Sequence, residues 1–243
     1  MVGVPVGIVT GASRGLGLAL TRALVERRWR LVVDARGEEA LAAAMASLDG
    51  AGRPGAAPGE QVSPGRVTAI PGDVSDPAHR RALVEAAGER IDLLVNNASL
   101  LGPSPQPPLA DYPLAVLRRV YEVNVFAPLE LARLALTRMP AGAKILNVSS
   151  DAAVEPYEGW GGYGSSKAAL EQLSAILGIE HHDLRVYTVD PGDMNTQMHQ
   201  EAFPGEDISD RPPPEESVPG LLALIEGELP SGRYRAADVV VSR

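Results

Sequence analysis

The residues best suited to chemistry are a tyrosine and a lysine four positions apart, Tyr163 and Lys167, in a segment with helical periodicity. That spacing places both side chains on one face of a helix. The unperturbed pKa of a phenol is about 10, so it exchanges protons near neutral pH only when a neighbouring ammonium lowers that value. The pair therefore indicates proton transfer at a substrate oxygen, although such pairs are also common on helix surfaces.

A second chemical signal is the glycine-rich segment Thr10-Gly11-Ala12-Ser13-Arg14-Gly15-Leu16-Gly17, which follows a predicted strand and begins a predicted helix. Glycines allow a sharp turn and a close approach of the backbone to a ligand. Free amides and the positive end of the helix dipole stabilise a phosphate. The segment therefore predicts a pyrophosphate site; by itself it also fits a tight connection without a ligand.

Alternating strands and helices must position these residues. Apolar runs rich in β-branched residues predict seven strands, at 6–10, 31–35, 66–70, 91–95, 143–149, 184–190 and 234–241. Segments with helical periodicity lie at 15–28, 38–48, 76–89, 111–139, 162–179 and 214–227. This alternation predicts an α/β fold with a parallel sheet covered by helices on both faces. Residues 50–65, with five glycines and three prolines, indicate a surface loop within one domain spanning 1–243.

The composition excludes several functions. A net charge of −9 repels nucleic acid and anionic lipid. The absence of cysteine excludes disulfides and thiolate chemistry, and the four histidines are too dispersed to predict a metal site. No apolar run approaches the roughly 20 residues that cross a bilayer, and the first residues lack a basic leader. We expect a cytoplasmic protein that binds no nucleic acid, membrane or metal.

Further motifs follow the predicted strands in order. They are Asp73-Val74, Asn96-Asn97-Ala98, Asn124, Ser150, Tyr163-x-x-x-Lys167 and Pro191-Gly192. With the glycine-rich segment, they resemble the short-chain dehydrogenase/reductase family over residues 10–196. The resemblance implies a single-domain Rossmann fold with a doubly wound, seven-stranded parallel sheet. It also implies an oxidoreductase that transfers hydride between a nicotinamide cofactor and a small carbonyl or alcohol substrate.

The resemblance implies chemical roles for four residues. Tyr163 is the general acid/base, and Ser150, 13 residues before it, orients the substrate oxygen. Lys167 binds the nicotinamide ribose and lowers the tyrosine pKa, while Asn124 holds a water and the Lys167 side chain in a proton relay. Taken alone, Ser150 also fits a turn at a strand end, and Asn124 also fits a buried helix position.

The resemblance also implies cofactor contacts. The residues concerned are Gly11, Ser13, Arg14, Gly15, Leu16, Gly17, Arg36, Asp73, Val74, Asn97, Ala98, Tyr163, Lys167, Pro191, Gly192 and Thr196. In this scheme Asp73 binds the adenine amine, the Val74 amide contributes a donor, Asn97 lines the groove and Thr196 binds the carboxamide.

The end of the second predicted strand, Asp34-Ala35-Arg36, bears on the choice between NAD and NADP. A carboxylate binds the ribose hydroxyls of NAD and repels a 2′-phosphate, whereas an arginine pairs with that phosphate. The NAD-selecting acid of the family corresponds to Ala35, and Arg14 with Arg36 is similar to the NADP pattern. NADP is therefore expected and NAD is less favoured, with Asp34 as the opposing signal. Arg36 also fits a solvated charge at a helix start.

A narrower resemblance concerns the substrate. The stretch from Asn147 to Tyr163, including Pro156, Gly159 and Trp160, resembles sepiapterin and benzil reductases, which reduce vicinal dicarbonyls. Trp160 and Tyr157 then form a flat apolar wall for the substrate, or they fix the loop against the helix.

The residues after Pro191 contain an apolar stripe, Met194, Met198 and Phe203. We interpret residues 193–210 as a substrate lid, although such a stripe also fits plain packing. Earlier in the chain, Ser99 stands where the family usually has glycine.

Two other functions remain open at this point. A catalytically inactive, NADP(H)-sensing regulatory protein is disfavoured by the retention of Ser150, Tyr163 and Lys167. A sugar-nucleotide epimerase or dehydratase is disfavoured because only about 50 residues follow Pro191. As in relatives, the predicted helices at 111–139 and 162–179 favour a homo-oligomer, either a dimer or a tetramer.

Overall fold

Short buried strands form the centre of the molecule. A computed structural model describes residues 3–49 and 67–239. The strands are β1 (Val6–Val9), β2 (Arg30–Ala35), β3 (Val67–Pro71), β4 (Leu93–Asn96), β5 (Lys144–Val148), β6 (Arg185–Asp190) and β7 (Gly232–Arg235). Nearly every residue of β1, β2, β4, β5 and β6 is buried, as a sheet covered on both faces requires.

Helices connect the strands. They are α1 (Gly15–Glu26), α2 (Glu38–Asp49), α3 (Pro77–Ala87), α4 (Leu114–Tyr121), α5 (Ala127–Ala135), α6 (Gly161–Glu180), α7 (Gln197–Ala202) and α8 (Val218–Glu226). The start of α3 shows the local chemistry: the Asp76 carboxylate accepts the Ala78 N–H at 2.8 Å, and Pro77 occupies the first helical position.

The strands form one parallel sheet in the order β3-β2-β1-β4-β5-β6-β7. The chain moves outward from β1 to β3 and then returns to place β4 on the other side of β1. The strand order therefore reverses between β1 and β4, where sheets of this kind bind ligands beyond the carboxyl ends of the strands. The predicted doubly wound, seven-stranded sheet is confirmed.

An apolar core covers each face of the sheet. On one face, Leu20 of α1, Leu41 of α2 and Leu221 of α8 pack in one cluster. On the other face, Leu83 of α3 and Leu131 of α5 pack in a second cluster. Within the described ranges, no helix has the length and apolar character needed to cross a membrane.

The last predicted strand is misplaced. The sequence predicts it at 234–241, but β7 is Gly232–Arg235 and a 3-10 turn, Ala236–Asp238, follows it. A run of valines after 238 biases the prediction, whereas the residues that pair with β6 include two arginines. The loop predicted at 50–65 lies outside the described residues.

The long helix predicted at 111–139 is interrupted. It begins only at Leu114, after Pro113, and a π-helical turn, Glu122–Phe126, separates α4 from α5. Pro128 explains the interruption, because it has no N–H for the usual bond to the carbonyl of Asn124. The Ala127 N–H instead bonds the carbonyl of Glu122, five residues back. This turn positions Asn124 beside the loop that follows β4.

Candidate active site

A cavity of about 940 Å³ opens at the carboxyl ends of the strands. Its volume is near the upper end of the range for ligand pockets. The predicted site residues on its wall are Gly11, Ser13, Arg14, Gly15, Leu16, Gly17, Arg36, Asp73, Val74, Asn97, Ala98, Ser150, Tyr163, Lys167, Pro191, Gly192 and Thr196. Asn124, 1% exposed, lies behind the wall. Within 3–49 and 67–239, no cluster of three or more His, Asp or Glu residues is arranged to hold a metal.

The glycine turn is shaped by close backbone contacts. Gly11 has φ +70° and Gly15 has φ +53°, both in the left-handed region that glycine adopts without strain. A Cβ on Gly17 would lie 2.3 Å from the Gly11 oxygen and 2.5 Å from Nδ2 of Asn97. Only glycine fits here, so the start of α1 presents bare backbone to the cavity. These residues fit the pyrophosphate of a dinucleotide.

Asp34 is directed beneath the glycine turn. It is 1% exposed, Oδ1 accepts the Gly11 N–H at 2.7 Å, and Oδ2 lies 2.9 Å from Nε2 of His79. Burial raises the pKa of Asp34, and the bonds from His79 and Gly11 oppose that rise. Both carboxylate oxygens are thus engaged within the protein. Asp34, Arg14 and Arg36 all line the cavity, but only the two arginines are exposed.

Asp73, after β3, is also held in one orientation. Oδ1 accepts the Ser75 N–H at 2.9 Å and its hydroxyl at 2.7 Å, and Arg119 of α4 pairs with Oδ2. Partial burial acts to raise the pKa of Asp73, but the Ser75 bonds and the Arg119 charge lower it overall. The cavity therefore carries an ionised carboxylate at this position, beside Val74.

Tyr163 and Lys167 are buried on α6. The Lys167 Nζ donates to the carbonyl of Val148 at 2.7 Å and lies 5.4 Å from the Tyr163 ring centroid. Burial lowers the pKa of Lys167 to about 7, against the opposing charge of Glu171. Burial also raises the pKa of Tyr163, and a hydrogen bond with Ser99 opposes that rise. Burial therefore dominates the Tyr163 pKa and favours the protonated phenol, which is opposite in direction to the lowering expected from Lys167.

Asn124 fastens the loop after β4 to the π-turn. Its Oδ1 accepts the Ser99 hydroxyl at 3.1 Å and the Leu100 N–H at 2.8 Å. Its Nδ2 donates to the Leu100 carbonyl at 2.9 Å and to Oγ of Ser166 at 3.0 Å. All four hydrogen-bonding positions of the amide are used. The side chain therefore has no position left for the water of the expected relay, which must bind the backbone carbonyl of Asn124 instead. Pro128, four residues later, has no N–H to donate to that carbonyl.

Ser150 begins a 3-10 turn, Asp151–Ala153, directly after β5. Its hydroxyl donates to Oδ1 of Asp151 at 2.8 Å, and Tyr157 donates to Oδ2 at 2.9 Å. The predicted substrate-orienting hydroxyl thus lies beside a carboxylate that the sequence motifs do not include.

The segment after β6 closes one side of the cavity. Thr196 caps α7, since its Oγ1 accepts the His199 N–H at 3.3 Å. This short helix is absent from the predicted elements. The ring of Trp160 lies 5.8 Å from those of both Phe203 and Tyr163, centroid to centroid, so an aromatic wall faces the buried tyrosine.

Arg233 of β7 is a site neighbour that the motifs also miss. It donates to Glu171 at 2.9 Å and to the carbonyl of Ser150 at 3.3 Å, and it lies 3.6 Å from Asp190. The pattern Arg233-x-Arg235 could have indicated this position, because alternate residues of a strand share one face and both arginines would then point the same way. In register, Arg235 is the partner of Asp190.

The strand order reverses at this cavity, and the glycine turn and a buried tyrosine–lysine pair line it, as in the class of enzymes that bind a dinucleotide on a Rossmann fold. The family model described as short chain dehydrogenase matches residues 5–207. The chain belongs to the short chain dehydrogenase family.

Three relatives illustrate the similarity. The chain is 35% identical to the rhamnolipids biosynthesis 3-oxoacyl-(acyl-carrier-protein) reductase of Pseudomonas aeruginosa, over 79% of this chain and 74% of that protein. It is 29% identical to the benzil reductase ((S)-benzoin forming) of Saccharomyces cerevisiae, over 80% and 73%. It is 30% identical to the sepiapterin reductase of Bos taurus, over 79% and 74%. The predicted resemblance to sepiapterin and benzil reductases is confirmed.

Solved structures share the fold. A short chain dehydrogenase from Pseudomonas syringae superposes with a TM-score of 0.84 at 30% identity, covering 96% of this chain and 94% of that one. A short chain dehydrogenase from Escherichia coli CFT073, complexed with NADPH, also gives 0.84, at 24% identity and with 96% of each chain covered.

Proposed function

We propose that this protein is an NADP-dependent carbonyl reductase, acting as one domain over residues 1–243. The observation that carries the proposal is the shared cavity. Tyr163, Lys167 and Ser150 line the same space as the glycine turn. NADPH supplies the hydride when bound, and the residues of this chain bind it, orient the carbonyl and move a proton.

Tyr163 serves as the general acid in the reduction direction. Its burial favours the protonated phenol, which is the form that donates to a developing alkoxide. Ser150 orients the carbonyl oxygen through its hydroxyl. Lys167, held on the Val148 carbonyl, binds the nicotinamide ribose. Asn124 acts less directly, by holding Ser99 and by keeping a relay water at its backbone carbonyl.

The choice of NADP rests on the two exposed arginines of the cavity. Arg14 and Arg36 are proposed to pair with the 2′-phosphate. Asp34 does not oppose this pairing, because the Gly11 amide and His79 engage its carboxylate. The E. coli relative with the same fold was solved with NADPH, which supports the same cofactor here. NAD is the less favoured alternative.

The remaining cofactor contacts are assigned to residues that line the cavity. We assign the adenine to Asp73 and the amide of Val74. The nicotinamide end is assigned to Pro191 and Gly192 in the loop after β6, with the carboxamide on Thr196. Each of these residues lines the cavity.

The substrate is proposed to be a small aromatic carbonyl compound, with vicinal dicarbonyls as the first class to examine. The Trp160 wall and the similarity to benzil and sepiapterin reductases support this class. Residues 193–210 are proposed to act as a lid, and α7 within them lines the cavity through Met198.

We also propose a cytoplasmic homo-oligomer, either a dimer or a tetramer. Large apolar side chains are exposed on the relevant helices: Leu114 on α4 is 64% exposed and Ile179 on α6 is 68% exposed. Contact between copies would bury this surface. Light scattering is expected to give a multiple of 25.5 kDa, and a purely monomeric mass contradicts the proposal.

Cofactor titration followed by a carbonyl panel tests the function. NADPH is expected to bind more tightly than NADH, and diketones are expected to oxidise the bound NADPH. Arg36→Ala should weaken NADPH binding about tenfold to hundredfold, because a charge-assisted pair is lost, and leave NADH binding nearly unchanged.

Arg81→Ala, on the exposed side of α3, is the matched control for this titration. Equal affinities of the parental protein for NADPH and NADH would contradict the proposed preference for NADP. If no carbonyl compound consumes NADPH, the reductase function is wrong.

A further inference from the structure

The carboxylate of Asp151 lies on the cavity wall, within one hydrogen bond of the predicted substrate-orienting hydroxyl. Oδ1 accepts the Ser150 hydroxyl and the Ala152 N–H, each at 2.8 Å, and Oδ2 accepts the Tyr157 hydroxyl at 2.9 Å. These donors are neutral. The negative charge of Asp151 is therefore fixed in position without being offset by a cation among the hydrogen-bonding partners that the described residues supply.

The other carboxylates of this part of the cavity have different partners. Asp193 lies 3.8 Å from Nε of Arg211, so the guanidinium offsets its charge, and 3.9 Å from Nδ1 of His199. Glu201 accepts a hydrogen bond from Gln197 at 2.7 Å. Lys167 directs its Nζ to a backbone carbonyl at 2.7 Å. Asp151 and Glu201 thus have neutral hydrogen-bonding partners, and of the two only Asp151 bonds the substrate-orienting hydroxyl of Ser150; the nearby Arg233 donates to Glu171 and to the Ser150 carbonyl.

The hydrogen bond between Ser150 and Asp151 constrains the substrate. While Ser150 donates its one proton to Oδ1, it cannot donate that proton to a carbonyl oxygen. A substrate with an ammonium or hydroxyl group beside its carbonyl resolves this conflict. That group becomes the donor to Asp151, and the released Ser150 hydroxyl donates to the carbonyl.

A substrate with a carboxylate beside its carbonyl has the opposite effect. It brings a like charge to within a few ångströms of Asp151, in a partly buried site where screening is weak. Like a neutral ester, it cannot donate to Oδ1, so its charge is what distinguishes it from the ester. Trp160, whose ring packs on that of Phe203, lines the cavity and is available to the ring of either substrate.

We propose that Asp151 determines substrate charge at this site, selecting cationic and neutral aromatic ketones over anionic ones. The inference rests on the proposed carbonyl reductase function and refines it. Among compounds with the same ring and ketone, an adjacent ammonium binds best, an adjacent neutral group is intermediate and an adjacent carboxylate is rejected.

Three phenyl ketones test the proposal: phenacylamine in its protonated form, methyl phenylglyoxylate and phenylglyoxylate. The last two share the ring and the ketone but differ in the adjacent group, which is a neutral methyl ester in one and a carboxylate in the other. In the parental protein with NADPH, the kcat/KM for the ester should exceed that for the anion by about tenfold to hundredfold. Asp151→Asn keeps the shape and an acceptor oxygen for Ser150 but removes the charge. It should lower this ratio, leaving the intrinsic difference in reactivity between the two ketones, and it should lower kcat/KM for phenacylamine.

Asp111→Asn is the matched control, since it removes the same charge from an exposed residue outside the cavity. It should leave the preference unchanged. Equal kcat/KM for the ester and the anion in the parental protein overturns the proposal. So does a ratio that is the same in Asp151→Asn as in the parental protein.

Binding measured without turnover separates this inference from the proposed function. The fluorescence of Trp160, next to the cavity, can report each ketone binding to NADPH-loaded Tyr163→Phe protein. Binding in the order ammonium, ester, carboxylate supports the role of Asp151 even if the parental protein reduces none of the three. Failure of all three ketones to bind overturns the role of Asp151.

Discussion

Tyr163→Phe is expected to lower kcat for carbonyl reduction by about a hundredfold to ten-thousandfold, the usual contribution of a positioned general acid. The Kd for NADPH should remain essentially unchanged. The change removes one oxygen from a side chain that is 8% exposed and keeps the ring that packs against Trp160. The loss should therefore appear in kcat, which requires the proton, and not in folding or cofactor binding.

Tyr121→Phe is the matched control for this substitution. It also removes a phenolic oxygen, one that bonds Ser165 on the surface at 3.1 Å, outside the cavity. Stopped-flow reduction assays and NADPH fluorescence titrations on both variants separate chemistry from binding. Undiminished kcat in Tyr163→Phe would remove Tyr163 from the proton step and leave the cavity without its proposed acid.

Much of the fold could be predicted because its signals are local. The strands are continuous apolar runs in the sequence, and the turn from Gly11 to Gly17 follows β1 directly. Because the carboxyl ends of parallel strands meet at one edge of the sheet, the motifs that follow the strands lie at that edge. That geometry gathers the predicted residues that follow the strands on one cavity wall, and α6 adds Tyr163 and Lys167. Asn124 differs because it acts from behind the wall, through Ser99 and Leu100.

The contacts that could not be predicted join residues far apart in sequence. From the sequence, Asp34 is a possible ligand of the cofactor ribose. In the structure, His79, 45 positions away, hydrogen-bonds the Asp34 carboxylate below the glycine turn. Gly72 makes this contact possible, because a Cβ there would lie 2.3 Å from the His79 ring. Likewise, the π-turn depends on Pro128 inside a segment whose apolar periodicity otherwise predicts one helix.

Gly17→Ala tests whether the glycine turn is set by close packing, because two effects of this change oppose each other. Alanine is favoured over glycine inside a helix by about 1 kcal/mol, so propensity alone predicts a more stable α1. However, the new Cβ would lie 2.3 Å from the Gly11 oxygen and 2.5 Å from Nδ2 of Asn97. Asn97 cannot withdraw freely, since Nδ2 already donates to the Thr10 carbonyl at 2.8 Å and to the Gly11 carbonyl at 3.1 Å.

The steric effect should dominate, since overpacking costs about 1–3 kcal/mol even where side chains can adjust, and here the neighbour is backbone. We expect Gly17→Ala to lower Tm and to weaken NADPH binding by up to about a hundredfold, because α1 must move away from the turn that holds the pyrophosphate. Gly3→Ala, where a Cβ meets nothing within 4 Å, is the control. A raised Tm with normal NADPH affinity would show that the backbone yields at little cost, and that close packing does not define the turn.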